Sequence, residues 1–183
     1  MIIRKTTKDI LVESFRELAG REKIKKITIK DITDNCGMSP ATFYRHFKDK
    51  YDLIAWDYAR RVGEIMARSS AEGSTWRQVL LEFMQFYYGQ KDFFIKILCH
   101  TSGYYSFVRN MTEVSVAEIE AYVKRKSNQE TLAKETALHI RFYCFGAVQL
   151  VCGWMTGTIE AEPEEIADVL VKTVPSTLAA FFK

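Results

Sequence analysis

Three features of this 183-residue sequence predict an all-α protein. Hydrophobic residues make up 48% of the chain while Gly numbers nine and Pro three, which leaves little material for the turns of an all-β fold. Apolar residues recur at spacings of three and four rather than alternating. Hydroxyl or carboxylate residues stand in front of several of these runs, where a helix needs an N-cap. The predicted organisation is an N-terminal three-helix helix-turn-helix domain, residues 1–50, followed by a larger helical domain, residues 51–183.

Thr6 with Asp9 three residues on is a capping pattern, and Leu11, Phe15 and Leu18 follow on one face until Ala19-Gly20 closes the first helix. Lys23, Lys25 and Lys26 lie in the loop after it. Thr28 and Asp31 repeat the capping pattern, with Ile29, Ile32 and Cys36 on one face and Gly37 where a left-handed residue ends a helix. Ser39 then caps a third helix with Pro40 at its first position, where a missing N–H costs nothing. Phe43 and Phe47, four apart, turn inward, which leaves Pro40, Ala41, Thr42, Tyr44, Arg45 and His46 facing out. Two short helices broken at a glycine, the second with a small, aromatic and basic face, read as a helix-turn-helix that binds DNA.

Asp49 caps a fourth helix running to about Arg68, ~27 Å at 1.5 Å per residue, long enough to belong to both domains. The polar run of residues 69–74 marks the break before the second domain. Further helices are predicted over Trp76–Tyr88, Phe93 to about His100, Tyr104–Arg125, Thr131–Met155 and Ala167–Phe182, the last kinked at Pro175. The Thr131–Met155 helix carries more apolar surface than one chain's core needs.

Charge is unevenly placed. Residues 1–50 hold 12 Lys and Arg against 7 Asp and Glu, whereas residues 51–183 hold 14 against 16. A basic small domain on a near-neutral body suits a polyanionic partner such as duplex DNA. Cys36, Cys99, Cys144 and Cys152 have no zinc-like spacing, and Glu135 with His139 has no companion motif, so neither a metal nor a cofactor is expected. Cys99 and Cys144 are open to two readings, a thiol sensor or a buried structural thiol. The longest apolar run, Cys144–Met155, falls short of the ~20 residues of a membrane span, and the N-terminus carries no signal peptide pattern, so a cytoplasmic protein without membrane contact is expected. Phosphate-loop, GxSxG and HExxH motifs are absent, which disfavours the alternative of a helical enzyme.

The combination Thr28, Ile29, Ile32, Gly37, Met38, Ser39, Thr42, Phe43, Tyr44, Phe47, Lys50 and Leu53 resembles the N-terminal signature of the TetR family of bacterial transcription regulators. The resemblance implies an effector-responsive repressor that binds a near-palindromic DNA operator as a homodimer through its last two long helices. It implies base contacts by Pro40, Ala41 and Arg45, and phosphate contacts by Thr28, Thr42, Tyr44, His46 and Lys50, with Ser39 at the helix start. The body becomes an effector-binding and dimerisation domain, with Phe83, Tyr87, Phe94, Tyr104, Phe107, Phe142 and Trp154 as expected pocket residues. The run from Tyr44 through His46, Phe47 and Lys50 to Tyr51, with the late Trp154, also resembles the branch that regulates dihydroxyacetone kinase genes, which implies the alternative of an activator controlled by a protein co-regulator.

Overall fold

The computed structural model describes residues 5–69, 74–100 and 104–182, and the side chains of 69, 100 and 104–106 lie outside that description. Among the described residues the secondary structure is entirely helical, in the order α1 (Thr7–Arg21), α2 (Ile29–Asn35), α3 (Pro40–Tyr44), α4 (Lys50–Ser69), α5 (Trp76–Gly89), α6 (Lys91–His100), α7 (Tyr104–Ser127), α8 (Lys134–Thr156) and α9 (Pro163–Lys172).

The first three helices begin where local chemistry puts them. Thr6 and Thr28 each accept the backbone N–H three residues on, while Asp9 and Asp31 reach back to the cap's own N–H. Ser39 accepts from Thr42 N, with Pro40 at the first position. Gly37 has φ +68, and the N–H of Met38 closes onto Thr33 O at 2.8 Å, so the chain turns sharply between α2 and α3 through a conformation that favours glycine. Leu11, Phe15, Ile24, Ile32, Phe43 and Leu53 are buried to within 1% and form one small core. Ser14 on α1 donates to Ile32 O at 2.6 Å, which fixes α2 against α1.

Asp49 accepts the N–H groups of Tyr51 and Asp52, so α4 starts as the sequence predicts and, at 20 residues, extends ~30 Å. Its first turns pack on the small domain and its later turns on α5 and α7. In the body, α5 packs along α9 and α7 along α8. The predicted break over 69–74 falls mostly on residues 70–73, outside the described residues.

The end of the chain differs from the sequence expectation. The last helix begins at Pro163, capped by Glu162 with Glu165 reaching back, and stops at Lys172 rather than running from Ala167 to Phe182. Pro175 has no N–H to continue the ladder, and residues 176–181 form successive turns that bring Leu178 and Phe182 back into the core. α8 likewise starts at Lys134, after Ala133, which supplies no side-chain cap. Gly157 ends it at φ +80, and a Cβ at Gly153 would meet the Ile159 side chain at 2.8 Å. No described helix is long and apolar enough to cross a membrane.

Candidate DNA interface and effector cavity

Phe43 is fully buried and Phe47 is 3% exposed, and with Trp56 of α4 they form a chain of tilted rings 5.7 and 5.8 Å apart. This anchor determines what α3 presents to solvent. Pro40, Ala41, Tyr44 and Arg45 are exposed, Tyr44 at 60%, while Thr42 and His46 are half-buried. Arg45 has no partner among the described residues, which leaves its guanidinium donors open. Thr28 and Ser39 are exposed but occupied: each hydroxyl accepts a helix N–H, and Thr28 also donates to Asp31 at 2.7 Å. The bond from the Thr28 backbone N–H holds the Asp31 carboxyl below its ordinary pKa.

Lys50 is placed differently from the other expected contacts. Its ammonium donates to Ile24 O at 2.7 Å, Lys25 O at 3.1 Å and Ile27 O at 2.7 Å. Three donors meet three carbonyls of the α1–α2 loop, so the charge holds that loop against the start of α4. Burial lowers its pKa from the ordinary lysine value. The loop lysines Lys23, Lys25 and Lys26 remain exposed.

The small domain is tied to the body by buried charge. Asp57 of α4, 3% exposed, accepts from Arg16 Nε of α1 at 2.8 Å and from Arg61 Nε at 3.2 Å. Arg16 also reaches Gln90 at the α5–α6 junction and lies 4.6 Å over the Phe93 ring. Burial lowers the Arg16 pKa and the Asp57 charge opposes that shift. Lys96 of α6 donates to Ala19 O at 2.6 Å and so caps the end of α1. Apart from the i, i+4 pair of Asp57 and Arg61, these contacts join residues 41 to 77 positions apart, and nothing in local spacing announces them.

Between α4, α5, α7, α8 and α9 lies a cavity with about 70 Å³ available to the centres of water-sized molecules, room for more than a single water. Tyr58, Val62 and Met66 of α4 form one wall, and Trp76, Phe83 and Tyr87 of α5 another. Ser115 and Glu118 of α7, Tyr143 and Cys144 of α8 and Leu170 of α9 complete it. The Tyr58 and Tyr87 hydroxyls share a hydrogen bond of 2.7 Å, and burial pushes both phenols above the ordinary value. Tyr143 donates to Leu170 O at 2.9 Å, its pKa pushed up to about 12 by burial. The Trp76 indole N–H approaches Tyr143 closely enough to oppose that rise, yet it is buried without a well-formed hydrogen bond.

Of the expected pocket residues, Phe83 and Tyr87 line this cavity. Phe94 and Phe107 pack beside it, around a narrow crevice under Tyr58. Tyr104's side chain lies outside the described residues. Two expectations are corrected. Phe142 points away from the cavity and is 79% exposed, because helix α8 puts Tyr143 and Cys144 inward at that turn. Trp154 lines an outer groove instead, donating to Ala161 O at 2.8 Å and stacking on Tyr88. Tyr58, Trp76 and Glu118 carry no pocket signal in the sequence. The i, i+4, i+8 spacing of Tyr58, Val62 and Met66 marks an inward face of α4, but only the packing of α5 and α7 on α4, with α8 behind α7, reveals what faces it.

Cys144 is buried and its thiol pKa is pushed up to about 12 by burial, so the structural-thiol reading applies to it; Cys99 is exposed. His139 meets Thr177 at 2.9 Å, and no cluster that could hold a metal occurs among the described residues. On the outer face of α8, Leu138, Phe142 and Phe145 are 57%, 79% and 52% exposed, a stripe at spacings of four and three. Val169 of α9 is exposed too.

Comparison with known proteins fits this division. Residues 11–55 match the model for bacterial regulatory proteins of the tetR family, and residues 74–176 match that for a transcriptional regulator C-terminal region. No curated protein matches the chain. Among solved structures it resembles the dihydroxyacetone kinase operon activator DhaS, at 14% identity and TM-score 0.63 over 97% of this chain and 98% of that one. It also resembles a TetR transcriptional regulator from Rhodococcus sp. RHA1, at 11% identity and TM-score 0.59 over 91% and 96% of the two chains. The TetR family repressor AlkX from a Dietzia species is similar at 15% identity and TM-score 0.56 over 98% and 96%. At these identities the likeness is one of fold. With both halves matched and the helix-turn-helix in place, the chain belongs to the TetR family of DNA-binding bacterial transcription regulators and is not an enzyme.

Proposed function

We propose that this regulator is an effector-responsive repressor whose homodimer reads a near-palindromic operator with one α3 helix per half-site. The observation that carries the reading is that α4 walls the cavity with Tyr58, Val62 and Met66 while its first turns hold the small domain through Leu53, Trp56 and Asp57. A ligand that prefers one setting of α4 therefore changes the spacing of the two reading helices. A coupling of about 1 to 3 kcal/mol is enough to change operator affinity roughly 5- to 150-fold. The exposed stripe on α8 with Val169 on α9 supplies the surface for the second subunit, since large apolar side chains aligned on one face are the usual mark of a covered interface.

On α3, Arg45 is the long, uncommitted donor suited to guanine O6 and N7, with Pro40 and Ala41 close to the bases. Thr28, Ser39, Thr42, Tyr44 and His46 surround it at the level of the phosphate backbone. Lys50 acts by positioning the α1–α2 loop and its lysines, since its own donors are taken by carbonyls.

Selection of bound sequences from random duplex DNA tests the reading and should return an inverted repeat with half-sites a helical turn, ~34 to 36 Å, or a multiple apart. Arg45→Ala should relax preference at one base pair per half-site, with a loss of about 1 to 3 kcal/mol per contact. Equal losses on specific and random DNA would show that Arg45 meets phosphate instead. The alternative of an activator under a protein co-regulator draws on the printed name of the similar DhaS structure. A reporter driven by the selected operator separates the two by the sign of its response when the gene is deleted.

A further inference from the structure

We propose that the cavity is selective for small organic cations, an apolar or aromatic body carrying a positively charged nitrogen. This rests on the reading of the cavity as the effector site and adds the chemical class of the effector. Among the described residues that line it, Glu118 is the one that carries a charge, and none is Lys, Arg or His. An anionic ligand would meet a like charge there and no counter-charge.

The Glu118 carboxylate is half-buried and has neither hydrogen bond nor ion pair among the described residues. The arginines nearest to it along the facing helix are committed elsewhere: Arg61 to Asp57, and Arg60 to Asp9, Asp57 and Glu64. Gly63 of α4 faces the carboxylate, since a Cβ at that position would stand in ordinary contact with Glu118 Oε1 at 3.5 Å. An acid on an ordinary solvated helix face has water for a partner; this one is set at a helix crossing beside an apolar space. A ligand cation in the cavity would be the counter-charge that this carboxylate lacks among the described residues. Tyr58, Trp76, Phe83 and Tyr143 line the same space, and aromatic rings carry the negative π-faces that attract weakly hydrated ammonium groups. The unsatisfied Trp76 N–H adds one hydrogen-bond donor for an acceptor on the ligand's body.

The test uses three probes of similar size on the full-length protein: benzyltrimethylammonium, its uncharged carbon isostere neopentylbenzene, and the anion phenylacetate. Binding is read by intrinsic tryptophan fluorescence, with Trp76 in the cavity wall as reporter. The cation should bind about tenfold more tightly than the neutral isostere, and phenylacetate more weakly than either. Glu118→Gln, which keeps the side-chain shape, should abolish the preference while leaving neopentylbenzene affinity unchanged. Neutral or anionic probes binding as tightly as the cation, or a cation preference that survives in Glu118→Gln, would overturn the proposal and leave the effector-site reading standing. Binding by none of the three would overturn both.

Discussion

In the small domain α1, α2 and α3 are 15, 7 and 5 residues long and start at Thr6, Thr28 and Ser39, each with a hydroxyl closing the first turn. In the body α8 is 23 residues long and starts at Ala133 with no side-chain cap at all. The contrast follows from length. Each helix leaves four N–H groups open at its start, a large fraction of a five-residue helix and a minor one of a long helix held by buried side chains. The starts of the head's three helices are therefore specified by contacts three residues apart, as is that of α5 at Thr75, whereas the packing of the body draws on contacts many tens of residues apart such as Arg77 with Asp168 at 2.7 Å. The two candidate sites divide the same way: the outward face of α3 is a local surface, while the cavity exists only where α4, α5, α7, α8 and α9 meet.

The largest expected effect attacks the join between the two regions. Asp57→Asn removes the buried charge that Arg16 and Arg61 share, and should lower stability by about 3 kcal/mol, the low end for breaking a buried pair because Arg16 keeps some solvent contact. Urea denaturation measures it. A loss below about 0.5 kcal/mol would mean that the buried charge of Asp57 contributes no more to the join than a surface pair does.

Next comes Lys50→Met, which keeps the side chain's length but leaves three loop carbonyls without their donor. A stability loss of about 2 kcal/mol is expected, with weaker binding to all DNA sequences alike. Should stability stay unchanged while the salt dependence of DNA binding flattens, the ammonium spends its time on phosphate rather than on the loop.

Smaller again is Thr28→Ala, which deletes the α2 cap and should cost about 1 kcal/mol in thermal or urea unfolding. The same loss spread over a long body helix would be hard to detect, so the value sharpens the contrast in how the regions are held. The pH dependence is the mildest effect. Asp9 and Asp31 have folded pKa values lowered from the ordinary 3.8, Asp9 first by the Thr6 hydroxyl and Asp31 first by the Thr28 N–H. The unfolded chain thus binds more protons in that window, so the caps contribute fully above 3.8 and lose their contribution as pH falls through the lower folded values. Urea midpoints at about pH 6 and about pH 3 should converge between the wild type and a Thr6→Ala, Thr28→Ala double variant as the pH drops. A gap of constant width would place the caps' worth in the hydroxyls alone.

The sequence by itself determined the helical class, the capped starts of the first three helices, the glycine turn at Gly37 and the outward face of α3. Each of these depends on residues within about four positions of one another, where helix geometry fixes who meets whom. The fourth helix's start at Asp49 was legible for the same reason. Tertiary structure alone decided the rest. Lys50 looks like a free cation in the sequence, and only the fold brings three carbonyls to it. Phe142 and Tyr143 are adjacent aromatics of equal promise in the chain, yet one turns to solvent and the other into the cavity wall. Glu118 is one acid among 23 Asp and Glu, and it acquires its meaning from Gly63 on another helix and from the rings packed around it. A periodic pattern tells which residues share a helix face but not which helix that face will meet, because the free energy of burial is non-directional and the choice of partner is made by the packing of the whole chain.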